Sequence, residues 1–276
     1  MELPKEILAA IDEITKNADD IDKAADGLFP FNQYAIDGIF EEKIKPNLSD
    51  SQAKYFYSTT IKFKHLWQIT KKIEKLDEQY LNFVNFCIEK NEFRPQHYTK
   101  ATTNSSYFYF LYPFYEAIEF ENMLFHGKAC LDCFSLAIGS LFKQNTQKLD
   151  SLLNALTSLA NNNHMASKIL NCIKTEETSL RGLTLDPKKE GEKSVRDLIS
   201  HWQKAPIQFQ IYKNKNGEFS TTSGAILDMD HPNISLKSNY LVKNIASNIW
   251  YYTLNIISNS FGYIAEQYKN NPPTRI

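Results

Sequence analysis

Arginine is scarce in this 276-residue chain, occurring only at positions 94, 181, 196 and 275. The positive charge is carried almost wholly by lysine, and 31 basic residues are balanced by 32 acidic ones. A protein that coats nucleic acid by bulk electrostatics needs a large basic excess, so that class is excluded. Any RNA contact must come from a local patch. Long uninterrupted apolar runs are also missing, which argues against a membrane-spanning helix. There is no GxxxxGK[ST] phosphate loop, no GxGxxG dinucleotide fingerprint and no GxSxG nucleophile elbow.

Cysteine is sparse as well, with four in the chain. The start, Met1-Glu2-Leu3-Pro4-Lys5-Glu6, lacks a basic segment leading into an apolar core, so no secretory signal is expected. Reduced thiols in a cytoplasmic protein follow from that reading. Cys130-Leu131-Asp132-Cys133 is a solitary CxxC among Phe125, Phe134 and Leu136, where core thiols are expected rather than zinc ligands. No histidine has a glutamate three residues before it, which removes the carboxylate-bridged metal bundle. Neither a metal nor a cofactor is expected.

What the chain does have is helical periodicity. Ile7, Ile11, Ile14 and Ile21 recur on one face of a helix over residues 5–24. Ser49-Asp50-Ser51-Gln52 is a capping-box pattern opening a long helical run. Within that run Ile69, Ile73, Leu76, Tyr80, Phe83 and Cys87 form one apolar stripe. A polar segment around Pro95 and Thr102–Ser106 marks a boundary. A second long helix is expected from Pro113 to about Phe142, with shorter ones at 146–161 and 164–174 and a last one near 240–268.

The clearest strand signal is Ile207–Tyr212, which alternates strictly and precedes an Asn216-Gly217 turn, so a small hairpin is expected near 207–222. The expected class is all-α, a helical bundle with one small β-hairpin insertion. Residues 1–100 form an N-terminal helical region and 107–276 a second helical domain. The dense aromatic run Tyr107–Tyr115 suits a core or a subunit interface better than base stacking.

One segment carries chemistry: Arg196-Asp197-Leu198-Ile199-Ser200-His201. The bare spacing is common, arising in roughly a quarter of chains with this arginine and histidine content. Its context is narrower, for it follows three helices and a charged loop, and Trp202 comes directly after the histidine. Histidine titrates near neutrality, so it can take a proton from a 2′-hydroxyl or give one to a 5′-oxygen leaving group. Arginine stays cationic when desolvated and stabilises charge on the phosphorane-like transition state.

Residues five apart lie about 140° around an ideal helix, so Arg196 and His201 do not share a face. Asp197 and His201 do, and Asp197 can orient the imidazole. Lys188, Lys189 and Lys193 precede the motif as a candidate basic patch for RNA, alternating with Glu190 and Glu192.

Motif and helix order together resemble the HEPN superfamily over residues 107–270. That resemblance implies a homodimer pairing two copies of the motif and a metal-independent endoribonuclease activity. It also implies a toxin or anti-phage defence role, with a neutralising or regulatory protein partner and no membrane association. Arg196, Asp197 and His201 are the site residues it implies. The alternative is a non-catalytic helical protein-interaction module in which the motif is structural.

Overall fold

The computed structural model describes residues 31–90, 97–101, 106–111, 113–181, 183–185, 188, 194–197, 207–213, 219–221, 225–226 and 241–270. Its helices are α1 (Phe31–Gly38), α2 (Asp50–Glu89), α3 (Phe114–Leu141), α4 (Leu149–Leu159), α5 (His164–Leu180) and α6 (Val242–Asn270). A π-helical turn, Ile39–Ile44, and a short 3-10 turn, Lys45–Asn47, link α1 to α2. The expected helix over 5–24 lies outside the described residues. Helix dominates, as an all-α class requires, and none of the described helices is long and apolar enough to cross a membrane.

The chain divides into two compact units. The first comprises Ile69–Asn122 and Asp197–Ser247, together with Met1–Leu28, which lie outside the described residues; the second comprises Phe29–Gln68, Met123–Arg196 and Asn248–Ile276. The units therefore interleave along the sequence. Long helices are the reason, since α2, α3 and α6 each supply residues to both units.

In the first unit the apolar stripe of α2 is buried throughout: Ile69, Ile73, Leu76, Tyr80, Phe83 and Cys87, joined by Val84. Helical spacing of three and four put these side chains on one face, and burial of that face holds the helix. The backbone of this unit also carries a five-stranded antiparallel sheet. Its strands are β1 (His97–Ala101), β2 (Ser106–Leu111), β3 (Ile207–Lys213), β4 (Phe219–Thr221) and β5 (Ala225–Ile226). They run in the order β1-β2-β3-β4, with β5 also on β3. Tyr107 faces Tyr212 in the β2–β3 register, and Ile211 faces Thr221 in the β3–β4 register. No strand was expected in 97–111, because these runs are short and β2, which pairs with β1, finds its other partner β3 about a hundred residues away. The Asn216-Gly217 turn lies outside the described residues.

The second unit is built around stacked aromatics. Phe40 stacks on Phe56 at 6.1 Å, and Phe56 meets Phe261 at 5.1 Å, all three fully buried or nearly so. Trp67 and Trp250 lie 4.8 Å apart. The capping box forms: Gln52 Oε1 accepts from the Ser49 backbone N–H at 3.0 Å, and Ser49 Oγ accepts from that of Gln52 at 3.4 Å. Asn163 caps α5 by accepting from the Ala166 N–H at 3.0 Å.

Gly139 is required where α3 ends. A Cβ there would stand 1.9 Å from Thr146 Oγ1, whose hydroxyl donates to the Ser135 carbonyl at 2.6 Å. Cys130 is a core thiol, pushed up by burial, whereas Cys133 is only half-buried. Cys130 Sγ donates weakly to the Thr59 carbonyl at 3.9 Å.

Candidate functional site

Arg196 sits in a helical segment, described over residues 195–197, that opens after Ser194, a residue type favoured at helix N-caps. Ser194, Val195 and Arg196 are all buried, the arginine at 7% exposure. Its seat is the turn that ends α5. The backbone N–H groups of Leu183, Thr184 and Leu185 all donate to the Leu180 carbonyl, at 3.3, 3.2 and 3.3 Å. The carbonyls of that turn are thereby aimed at the motif. Leu183 accepts from the Arg196 backbone N–H at 3.2 Å, and Thr184 accepts from Arg196 Nη1 at 3.1 Å. The guanidinium is thus held by main chain, the kind of anchoring that fixes a charged fork in place.

The turn itself is clamped from below. Glu177, on α5 and 3% exposed, pairs with Arg181, which also reaches Asp150 on α4. Lys188 adds a second cation to the same carboxylate, its Nζ 2.9 Å from Glu177. From the other side Gly127 of α3 admits the turn. A Cβ at 127 would lie 2.9 Å from Thr184 Cγ2 and 3.1 Å from Ile249 Cγ2, tighter than side chains tolerate.

The residues expected from sequence fare differently. Arg196 is placed and anchored. Asp197 is half-buried within the same helical segment. Lys188 is exposed but directed to Glu177, so its charge is offset by a buried carboxylate. His201, Lys189 and Lys193 lie outside the described residues.

Sequence reasoning missed the acids that organise these surroundings, and a signal for them existed. Glu177 falls on the apolar stripe of α5, four residues after Ile173 and three before Leu180. A charged residue at a core position of a helix needs a partner, and that conflict is visible in the periodicity.

A second buried acid, Glu116, lies in the first unit. It is on the stripe of α3 with Phe120, and Asp77 is on that of α2 with Ile73 and Tyr80. Lys243 Nζ lies 3.0 Å from Asp77 Oδ2. Among the described residues no three His, Cys, Asp or Glu side chains converge as metal ligands would.

Comparison of the chain with protein-family models, with curated proteins and with solved structures finds no match. Geometry and residue chemistry alone therefore carry the functional reading.

Proposed function

We propose that the chain is a metal-independent endoribonuclease of HEPN type, acting as a homodimer in the cytoplasm as a toxin or anti-phage effector. The observation that carries this reading is the main-chain seat of Arg196 at the opening of the motif segment, beyond α3, α4 and α5 and before α6. Arg196 stabilises charge gathering on the non-bridging phosphate oxygens, and anchoring removes the reorganisation that a loose side chain would need. His201 moves the proton, and Asp197, four residues before it in the chain, orients the imidazole. One histidine cannot serve as base and acid in the same step, so two copies across a two-fold axis complete the site. The hairpin near 207–222 belongs to this domain as its insertion, and a neutralising or regulatory protein is the expected partner.

The test is incubation of structured RNA in EDTA with wild-type protein, with His201→Ala and with Arg196→Lys. Cleavage by wild type alone, leaving 2′,3′-cyclic phosphate ends, supports the reading. Undiminished cleavage by His201→Ala overturns it.

One observation favours a second reading. Arg196 is buried and spends a donor on a carbonyl of its own chain, as a purely structural arginine does. In that case the chain is a non-catalytic helical interaction module. Arg196→Ala would then lower stability, and wild type would leave the RNA intact.

A further inference from the structure

The cleavage chemistry makes no use of the buried acids of α2 and α3. Glu116 lies in the first turn of α3, where Pro113 accepts the Ala117 N–H at 2.9 Å. A carboxylate in a first turn usually faces water or caps a backbone N–H. Glu116 does neither: it is fully buried, and neither of its oxygens has a hydrogen-bond partner.

Asp77 of α2 is 1% exposed and takes the Lys243 ammonium, which reaches in from the first turn of α6. Tyr80, one turn beyond Asp77, accepts the Tyr115 N–H at its hydroxyl, 3.4 Å away. Nearby on the same two helices Lys72 faces Glu119 at 3.9 Å. Among the described residues, the titratable groups beside Glu116 are Asp77 and Tyr80 from α2 and Lys243 from α6.

Among the described residues Lys243 is the ammonium that acts on both carboxylates, and Asp77 engages it. A desolvated carboxylate without a donor is costly, and a second negative charge beside it adds to that cost. A proton removes both penalties. Burial first, and the charge of Asp77 second, push the Glu116 carboxyl well above the usual range, with Lys243 opposing. Burial also pushes the Tyr80 phenol up to about 12, so it remains neutral beside the acids.

We propose that Asp77, Glu116 and Lys243 form a buried binding site for one proton, carried by Glu116, whose departure loosens the first turn of α3 from α2. A metal ion is the weaker candidate because the Lys243 ammonium already fills the cation position on Asp77. Loss of the proton leaves two buried carboxylates against one ammonium, and their repulsion acts between α2 and α3. The device makes the first unit sensitive to alkalinity.

Infrared spectroscopy of the full chain at neutral pH tests this without reference to RNA. The wild type should show a carboxylic-acid carbonyl band that Glu116→Gln lacks. Alkaline titration should abolish the band while amide exchange at the first turn of α3 accelerates. Should Glu116→Gln fail to fold, Asp77→Asn gives a second reading: with the neighbouring negative charge removed and Lys243 still in place, the band should be lost at a lower pH than in the wild type, and an unchanged titration overturns the proposal. Absence of the band from wild type, or its persistence in Glu116→Gln, overturns the proposal. So does its loss on addition of sodium or magnesium chloride at constant pH, which would make the site one for a metal cation.

Discussion

Glu116 and Glu177 are two buried glutamates on the core stripes of two helices, and the protein treats them in opposite ways. Glu177, in the second unit, meets Arg181 and Lys188, two cations for one carboxylate. Glu116, in the first unit, meets a second acid whose ammonium is already engaged. Burial is nearly equal, at 3% and 0% exposure, so burial does not decide the outcome. The partner set does. Charge is kept in the interior where donors surround it, and is extinguished by protonation where they do not.

The comparison breaks most sharply at Arg181. Arg181→Ala leaves Glu177 buried with a single, mostly exposed lysine and should cost about 3–5 kcal/mol in denaturant unfolding, the penalty for stripping one partner from a buried pair. A loss too small to measure would show that Lys188 alone satisfies the carboxylate.

Gly127→Ala probes the same clamp from its other side. The new Cβ must displace Thr184 or Ile249, at a cost of about 1–3 kcal/mol. Because the Thr184 carbonyl holds Arg196, the variant should also, under the proposed ribonuclease reading, lower kcat for RNA cleavage more than it raises KM.

Glu116→Gln sharpens the other half. An acid whose folded pKa is raised leaves stability intact below the ordinary glutamate range and erodes it as pH rises towards the raised value. The wild type should lose up to about 1.4 kcal/mol per pH unit across that window. The glutamine variant should be flatter by that slope and more stable at neutral pH, as read from unfolding at several pH values. The smallest effect belongs to Lys188→Ala. Its side chain is 70% exposed, so stability should fall by less than about 1 kcal/mol. Under the proposed ribonuclease reading KM for RNA should change little, since the charge is already offset by Glu177.

Much of the helical framework was legible in advance. The stripe from Ile69 to Cys87, the Ser49–Gln52 capping box and the limits of α3 and α6 all follow from local spacing, and local spacing acts within a few residues. α5 runs on to Leu180, beyond the expected end at 174, because Glu177 finds cations there and the helix need not stop before it. The candidate site was legible only in its residue types. Nothing near Arg196 in the chain announces Thr184 as its acceptor, twelve residues earlier, or Gly127 as the residue that makes room for Thr184.

The sequence by itself determined where the helices form, which faces they bury and which arginine and histidine types stand in one motif. It determined, too, that acids occupy core positions. Whether each such acid is paired or protonated was decided only by tertiary structure. Asp77, Glu116 and Lys243 lie on three different helices, and the energy of a buried charge depends on donors within a few ångströms, not on neighbours in sequence.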